Sequence, residues 1–240
     1  MKAMILAAGL GTRLGHHTLH RPKALVEVNG KPLLAHVVEK LVAAGVSEIV
    51  VNVHYFARKI VDYLASHDFG VRIFTSDETD LLLDTGGGIV RARHLLDGNE
   101  PFLVHNVDIL SDIDIKGLAE HHRTHNALAT LAVGQRKSSR YFLFDRYMKL
   151  AGWRNTLSGE EIVAVKGYAP LHEYAFAGIH VISPAIFNLL PGTGAFSIVQ
   201  SYLELCSKHT IAGFDTTANC VIDVGKPESL AKAEEFVRKK

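Results

Sequence analysis

A run of small residues followed by an arginine lies near the N-terminus and has the composition of a phosphate-binding loop. The run is Leu6-Ala7-Ala8-Gly9-Leu10-Gly11-Thr12-Arg13, and Pro22-Lys23 follows it. Small residues directly after an apolar strand let the backbone approach a ligand closely, and their N–H groups can surround an anion. Arg13 supplies a planar, bidentate cation and Lys23 a point charge, and both suit phosphate oxygens. The run therefore predicts phosphate binding, although a strand-to-loop turn with a surface arginine would have a similar pattern.

Two aspartates that are far apart in the sequence each stand at the end of a predicted strand. Asp108 follows the apolar segment 101–106, and Asp223 lies in the run Ile222-Asp223-Val224-Gly225. In α/β proteins ligands bind at the carboxyl ends of strands, which makes both carboxylates candidates for a site. An aspartate at a strand end also commonly forms a turn or a helix cap, so each one alone is ambiguous. Their combination with the glycine loop favours a functional role.

The segments that must position these residues alternate between strand-like and helix-like patterns in the first half of the chain. Strands are predicted at 2–8, 48–53, 71–75, 101–106 and 127–134, and helices at 32–44, 56–66, 87–96 and 115–125. This alternation is typical of a parallel sheet with crossover helices. Thr85 is predicted to cap the third of these helices, directly before the triplet Gly86-Gly87-Gly88.

The pattern changes after Gly134. Short strands at 141–145, 149–153 and 161–164 predict an antiparallel meander, and a strand at 174–182, a helix at 197–208, a strand at 220–224 and a C-terminal helix follow. The predicted fold class is α/β, with a Rossmann-like, mostly parallel mixed sheet flanked by helices and a small antiparallel insertion at about residues 135–175. No linker, repeat or low-complexity segment divides the chain, so we expect a single domain over residues 1–240.

Composition restricts the classes of function. The 240 residues have a formal net charge of +1, so nucleic-acid binding through a general basic field is not expected. Every apolar stretch is interrupted before about 18 residues, which predicts no membrane span. The distant Cys206 and Cys220 form neither a metal-ligand cluster nor a disulfide framework and indicate a reduced, cytoplasmic protein.

A dinucleotide fingerprint is a competing interpretation of the glycines. Gly9, Gly11 and Gly15 follow the first predicted strand, as the glycines of such a fingerprint would. However, the segment 16–22 is polar and ends in proline, so the required crossover helix cannot begin there. The strand at 48–53 also ends without an acidic residue for a ribose hydroxyl. A Rossmann-type oxidoreductase is therefore not expected.

Together, the loop at Leu6–Leu14 and the run Pro22-Lys23-Ala24-Leu25 resemble the signature of the sugar-phosphate nucleotidyltransferase family. This family includes glucose-1-phosphate uridylyl- and thymidylyltransferases, mannose-1-phosphate guanylyltransferases and N-acetylmuramate-1-phosphate uridylyltransferase. The compact length and the motif Asp84-Thr85-Gly86-Gly87-Gly88 are similar to the short muramate and mannose/heptose-phosphate branch. The resemblance implies transfer of a nucleoside monophosphate from a nucleoside triphosphate (NTP) to a sugar 1-phosphate, with release of pyrophosphate.

The resemblance also implies roles for individual residues. The nucleotide would be bound by Leu6, Ala7, Ala8, Gly9, Gly11, Thr12, Arg13, Thr85, Gly86 and Gly87. The sugar phosphate would be bound by Lys23, Asn106, Glu173 and Gly178, and Mg²⁺ by Asp108 and Asp223. Arg13, Lys23, Asp108 and Asp223 would form the catalytic group, because positioning and charge neutralisation dominate phosphoryl-type transfer.

Several points stay open at this level. UTP with N-acetylmuramate or glucose 1-phosphate, and GTP with mannose or heptose 1-phosphate, fit the resemblance equally well. Cytidylyl transfer to a phosphorylated alcohol such as choline phosphate, and a non-catalytic nucleotide-binding regulatory module, are the alternatives. Val107 stands where the family usually has glycine before the first aspartate, and Lys166 is a further candidate for sugar-phosphate contact. A homo-oligomer is compatible with the sequence.

Overall fold

The computed structural model describes residues 1–167 and 170–239. Its strands are β1 (Lys2–Leu6), β2 (Glu27–Val28), β3 (Lys31–Pro32), β4 (Glu48–Val53), β5 (Arg72–Asp77), β6 (Phe102–Asn106), β7 (Ile109–Ser111), β8 (Ala129–Gly134), β9 (Arg140–Phe144), β10 (Leu150–Asn155), β11 (Glu161–Val163), β12 (His172–Ile182), β13 (Ile211–Asp215) and β14 (Val221–Asp223). Its α-helices are α1 (Leu33–Ala43), α2 (Ala57–Ala65), α3 (Asp84–Arg91), α4 (Arg93–Leu96), α5 (Ile115–Thr124), α6 (Ile198–Leu205) and α7 (Leu230–Arg238). Short 3-10 helices cover Thr12–Thr18, Lys23–Leu25, Pro184–Asn188 and Pro227–Ser229.

The central sheet has the strand order β5-β4-β1-β6-β12-β8-β13. Neighbouring strands are parallel except for β12, which runs antiparallel to both β6 and β8. The N-terminal part of β12 also pairs with β9, from which β10 and β11 continue as an antiparallel extension. The predicted class, a mostly parallel mixed sheet with a small antiparallel part, is confirmed.

Helices cover both faces of this sheet, which explains why its central strands are apolar on both sides. Ala3 and Ile5 of β1 face a buried cluster that contains residues of α1, α2 and α5. Met4, between them, faces a second cluster that contains residues of α3, α4 and α6. Because side chains alternate along a strand, the carboxyl ends of β1, β4 and β6 are held in a fixed orientation from both sides.

Two predicted features differ in the structure. The last strand, β14, is outside the central sheet and pairs antiparallel with β7, a three-residue strand that follows Asp108. The helix predicted to begin after a Thr85 cap begins instead at Asp84, and its three glycines are buried within its first turns. The Thr85 hydroxyl accepts a hydrogen bond of 3.0 Å from the N–H of Ile198, so it satisfies the first residue of α6 rather than capping α3.

Strand β12 contains an irregularity that matters for the site. The register of its pairing with β8 shifts between Phe176 and His180, and Gly178 within this bulge has a φ of 72°. A β-carbon at Gly178 would lie 2.7 Å from the Asn106 side-chain amide, so glycine is required here for close contact as well as for the backbone conformation.

Within the described residues, no helix has the length and apolar character needed to cross a membrane. Cys206 is partly buried and Cys220 is exposed.

Candidate active site

A first cleft of about 420 Å³ opens at the carboxyl ends of β1, β4 and β6. Its wall contains Leu6, Ala8, Gly9, Lys23, Asn52, Glu78, Leu82, Asp84, Thr85, Asn106, Val107 and Asp108. Seven of the residues predicted for nucleotide, sugar-phosphate or metal contact are therefore brought together here: Leu6, Ala8, Gly9, Lys23, Thr85, Asn106 and Asp108. They come from distant parts of the chain because neighbouring parallel strands end at the same sheet edge.

The glycine loop is held in place at both ends. At its start, the N–H of Ala7 donates a 2.6 Å hydrogen bond to Oδ1 of Asn52. Near its end, Gly11 has a φ of +68°, and a β-carbon there would lie 2.9 Å from Cβ of Lys23. Gly9 has no atom within 4 Å of the place a β-carbon would take, so the middle of the loop borders open space. This arrangement leaves room for a ligand at Gly9 and brings Lys23 against the loop.

A buried carboxylate supports the loop from below. Nδ2 of Asn52 donates a 2.7 Å hydrogen bond to Oε1 of Glu78, and the N–H of Leu83 donates to Oε2 at 3.3 Å. Glu78 is fully buried, and this burial raises the pKa of its carboxyl above the usual value, whereas its hydrogen bonds act in the opposite direction. The sequence did not identify Asn52 or Glu78, because neither belongs to a local motif and only the fold brings them to the loop.

Lys23 and Asp108 form an ion pair through Nζ and Oδ2. Both side chains are mostly buried, at 11% and 16% exposure, so water screens their charges only in part. Lys23 follows Pro22, whose backbone is extended, and is the first residue of the 3-10 helix Lys23–Leu25. In this structure the ammonium group of Lys23 therefore contacts one oxygen of Asp108, the carboxylate predicted to bind Mg²⁺.

The two predicted metal ligands are neighbours in space. Asp223 ends β14 directly opposite Ile109 of β7, and the N–H of Val224 donates a 2.8 Å hydrogen bond to the carbonyl of Asp108. In residues 1–167 and 170–239, no cluster of three or more histidines, cysteines and acids with metal-site geometry is present. A pair of carboxylates suits Mg²⁺, which commonly takes one or two from the protein and its other ligands from water and substrate phosphates.

A second cleft of about 940 Å³ contains Arg13 and Asp223 and lies on the side of the antiparallel extension. Its other lining residues are Arg136, Ser138, Ser139, Arg140, Phe142, Trp153, Glu160, Ile162, Phe176, Ser197, Val199, Gln200 and Leu203. Arg13 and Asp223 approach each other at Gly225, where an added β-carbon would lie 2.8 Å from Nη2 of Arg13 and 2.6 Å from Oδ1 of Asp223. The four predicted catalytic residues thus divide between the clefts, with Lys23 and Asp108 in the first.

Glu173 is not brought to either cleft. Glu173 of β12 is paired with Leu143 of β9. The adjacent residue of β9, Phe142, is paired with Trp153 of β10, and both of these side chains line the second cleft. Because side chains alternate, Glu173 lies on the opposite face of this part of the sheet. There it forms a 2.5 Å ion pair with Arg154, which also pairs with Glu161. Besides Asp223, the carboxylate that lines the second cleft is Glu160.

The glycines of α3 have a structural explanation that differs from the predicted one. A β-carbon on Gly86 would lie 2.3 Å from the Phe196 ring, and one on Gly87 would lie 2.3 Å from the Gly194 carbonyl oxygen. A β-carbon on Gly88 would lie 2.7 Å from Oε1 of Glu78. The missing side chains therefore leave room for protein rather than for a ligand, and nucleotide contact by the backbone of Gly86 and Gly87 stays a prediction.

The remaining predicted residues lie in different environments, some beside the first cleft and some away from both clefts. Asn106 and Gly178 contact each other across the β6–β12 pair. Thr12 and Lys166 are exposed and line neither cleft, whereas Ala7 is buried beneath the loop. Val107 is 4% exposed, borders the first cleft and donates its N–H to the carbonyl of Leu6 at 3.2 Å. Its side chain packs into the core, so the valine is accommodated largely away from the ligand space.

Comparison with known proteins defines the family. Residues 3–160 match the model of the MobA-like NTP transferase domain, a span that contains the glycine loop, Lys23 and Asp108. The chain belongs to this family. As a MobA-like NTP transferase it is a nucleotidyltransferase, and the resemblance derived from the loop is confirmed.

Relatives of this MobA-like NTP transferase act on sugar phosphates, as their names state. N-acetylmuramate alpha-1-phosphate uridylyltransferase of Caulobacter vibrioides is 36% identical over 239 residues, which cover 97% of this chain and 95% of that protein. Mannose-1-phosphate guanyltransferase of Yarrowia lipolytica is 31% identical over 233 residues, or 96% of this chain and 62% of that protein. The chain thus spans less than two thirds of the guanyltransferase. The crystal structure of HddC from Yersinia pseudotuberculosis is similar with a TM-score of 0.79 and 25% identity, covering 98% of this chain and 99% of that one.

Proposed function

We propose that this protein transfers a nucleoside monophosphate from an NTP to a sugar 1-phosphate and releases pyrophosphate. The observation that carries the proposal is that each of two clefts is lined by one of two carboxylates on adjacent backbone segments, Asp108 and Asp223, with a cation beside each. A reaction that joins two phosphorylated substrates requires two binding spaces with a charged boundary between them. The family assignment and the names of the relatives support the same reaction class.

The first cleft is the proposed nucleotide site. The N–H of Ala7 already binds Asn52, so the free backbone donors for phosphate come from the part of the loop that begins at Ala8. The open space at Gly9 lets a phosphate approach the backbone closely. Lys23, held against Gly11, then adds positive charge at the inner end of the loop, where the triphosphate would need it most.

Asp108 and Asp223 would hold the proposed Mg²⁺, which supplies positive charge to the phosphate oxygens when it is bound. The donor set fits because both groups are hard oxygen ligands on adjacent backbone segments. In the absence of ligands, Lys23 neutralises Asp108. Binding of the substrates would let the ammonium group turn from the carboxylate to a phosphate, so that no buried charge is left unpaired.

The chemistry expected at the boundary is in-line attack of a sugar-phosphate oxygen on the α-phosphorus of the NTP. A new P–O bond forms to that oxygen, and the bond from the α-phosphorus to the bridging oxygen of the β-phosphate breaks. The leaving pyrophosphate keeps the electron pair. The attacking phosphate is already ionised at neutral pH, so the protein mainly has to orient both substrates and stabilise charge. Arg13 on the second-cleft side and Lys23 on the first-cleft side are the cations placed to do so.

For the substrates we propose UTP and N-acetylmuramate 1-phosphate ahead of GTP and mannose 1-phosphate. The uridylyltransferase has the higher identity, 36% against 31%, and the similarity covers 95% of its length against 62% for the guanyltransferase. The large second cleft, with aromatic residues in its wall, also suits a sugar with bulky substituents.

The test is a matrix of four NTPs against a panel of sugar 1-phosphates and choline phosphate, with pyrophosphate release as the measurement. Release with UTP and N-acetylmuramate 1-phosphate is the expected result. Release with only CTP and choline phosphate would replace sugar transfer by cytidylyl transfer to an alcohol phosphate. Tight NTP binding without release for any acceptor would instead favour a non-catalytic nucleotide-binding module.

A further inference from the structure

Arg136 is a partly buried cation in the wall of the second cleft for which the protein supplies few partners. It lies in the loop between β8 and β9 and shares the cleft with Arg13 and Asp223. Its Nη2 donates a 2.6 Å hydrogen bond to the carbonyl of Phe176. Its Nε is buried and has no hydrogen-bond partner among the residues that the structure describes. Leaving a buried donor unpaired is unfavourable, and more so when it belongs to a charged group.

The position of this guanidinium group is fixed by the bulge in β12. Phe176, whose carbonyl binds Arg136, is the residue at which the register with β8 shifts. The backbone N–H of Arg136 also bonds to the carbonyl of Gly134 at 2.9 Å, which folds the loop back on the end of β8. Arg136 lines the second cleft and is therefore anchored there through one nitrogen, Nη2.

The surroundings of Arg136 indicate the charge of what it binds. Asp223 is the nearby acid whose charge acts on Arg136, although no ion pair within 4.0 Å joins them in the described part of the chain. Burial lowers the pKa of the guanidinium group, but arginine stays charged at any physiological pH. A cation held in this way, with free donors in a fixed plane, matches an oxyanion with two coplanar oxygens.

Part of the wall of the second cleft is apolar. Phe142 and Trp153 are paired across β9 and β10, the ring of Phe176 lies 5.8 Å from that of Phe142, and all three residues line the cleft together with Arg136. A binding site of this kind, with an apolar wall and a few fixed polar groups, suits a compact organic ligand that carries an oxyanion. A free inorganic anion would make no use of the aromatic wall.

We propose that the Arg136 guanidinium group binds an oxyanion of the acceptor substrate and thereby positions the acceptor against Asp223. This inference rests on the proposed function and deepens it by assigning a residue that recognises the acceptor. Two groups share the required chemistry: the 1-phosphate itself, and a carboxylate carried by the sugar, as in N-acetylmuramate. Phosphate and carboxylate both accept bidentate hydrogen bonds from arginine.

The experiment compares Arg136→Gln and Arg136→Lys with the neighbouring Lys137→Gln, which removes a charge from the same loop outside either cleft. The substrates are N-acetylmuramate 1-phosphate and N-acetylglucosamine 1-phosphate, which differ by the lactyl carboxylate. For the two Arg136 variants we expect KM for the acceptor to rise about 10- to 100-fold, since a charge-assisted bidentate contact is lost. KM for the NTP should change less than about twofold, because the first cleft is untouched. Lys137→Gln should match the wild type.

The pattern of loss identifies the oxyanion. An equal rise in KM for both sugars assigns the 1-phosphate, and a rise confined to N-acetylmuramate 1-phosphate assigns the carboxylate. An unchanged acceptor KM in both Arg136 variants, or equal losses for NTP and acceptor, would overturn the proposal. If Arg136→Gln unfolds because the bond to Phe176 is lost, Arg136→Lys retains a donor at that carbonyl and provides the measurement.

Direct titration separates this inference from the proposed function. Binding of N-acetylmuramate 1-phosphate to the wild type, measured by calorimetry, should weaken by the same factor in Arg136→Lys. If the wild type released no pyrophosphate with any acceptor but bound the sugar phosphate through Arg136, the transfer reaction would be wrong and the assignment of Arg136 would stand. If pyrophosphate release were normal and binding did not depend on Arg136, the transfer reaction would stand and the assignment of Arg136 would be wrong.

Discussion

The backbone N–H of Val224 donates a 2.8 Å hydrogen bond to the carbonyl of Asp108, so the β7–β14 pair continues up to the two aspartates. Two carboxylates more than a hundred positions apart are thereby held by backbone bonds instead of by flexible side chains. Fixed placement of this kind is what phosphoryl-type transfer requires, since misplacement of a charged group by a small distance lowers the rate.

Substitution of either aspartate should abolish most of the metal-dependent turnover. Asp108→Asn and Asp223→Asn keep the shape of the side chain but remove the charge, and we expect each to reduce kcat/KM by about 10²–10³-fold. Pyrophosphate release across a Mg²⁺ titration is the measurement. Asp62→Asn, on the exposed face of α2, is the matched control. Full activity in both site variants at ordinary Mg²⁺ concentrations would exclude the metal assignment.

Loss of Lys23 should change metal binding and turnover in opposite directions. The Lys23 ammonium competes for Asp108 in the free protein, so Lys23→Met should tighten Mn²⁺ binding about fivefold, equivalent to about 1 kcal/mol. Turnover should nevertheless fall about 100-fold, because a cation at the phosphates is lost. Mn²⁺ titration followed by electron paramagnetic resonance and a pyrophosphate assay are the two measurements. Weaker metal binding in Lys23→Met would show that the ion pair does not compete with the metal.

The glycines of α3 allow a test in which the sign of the stability change shows whether helix propensity or close packing dominates. Replacing a helical glycine by alanine normally stabilises a protein by about 1 kcal/mol, because alanine has the higher helix propensity. Gly87→Ala should instead destabilise it by about 1–3 kcal/mol, since the added methyl group would lie 2.3 Å from the Gly194 carbonyl. Urea unfolding measures the difference. Gly192→Ala, where no atom lies within 4 Å of the new methyl group, should have little effect.

Stability should decrease as pH falls from 6.5, partly because of His122. Burial lowers the pKa of this side chain to about 4, whereas the unfolded chain keeps the ordinary value of 6.5. The unfolded chain therefore binds more protons between these values, so the stability present above pH 6.5 is lost as pH falls toward 4. His122→Gln can keep contacts with Thr130 and Ser183 and should show a smaller loss between pH 7 and pH 5.

Urea unfolding at pH 7, 6 and 5 measures this difference. The exposed His20→Gln should retain the pH dependence of the wild type. Buried Glu78, whose pKa is raised, contributes with the opposite sign but is present in all three proteins and cancels in the comparison. Identical pH dependence in His122→Gln and the wild type would contradict the assignment of the loss to His122.

The sequence predicts most of this fold because its signals are local. Strand β4 was predicted with the bounds Glu48–Val53, and the change of pattern after Gly134 corresponds to the antiparallel extension. The two- and three-residue strands β2, β3 and β7 are too short to show periodicity, and their pairing depends on contacts made elsewhere. The position of β14 opposite β7 could not be predicted for the same reason.

Some residues of the site belong to local sequence motifs, and others are brought to the site only by the fold. Gly9 and Lys23 belong to two short runs close together in the sequence, and the composition of these runs indicates phosphate chemistry without any knowledge of the fold. Asn52, Glu78 and Arg136 have no such motif, because their roles come from burial and from partners on other strands. Glu173 illustrates the sensitivity of a sheet to register: the adjacent Tyr174 is paired with Phe142, which lines the second cleft, and a one-residue difference places Glu173 on the other surface.

The bulge in β12 has a consequence for how the protein can diversify. Its glycine accommodates Asn106 in the first cleft, and the carbonyl of Phe176 holds Arg136 in the second. Of the two clefts, only the second contains side chains from β9, β10 and β11. Under the proposed assignment of the clefts, substitutions in those strands would change which acceptor is recognised without touching the nucleotide site. The bulge in β12 would then separate the strands that select the acceptor from those that bind the nucleotide.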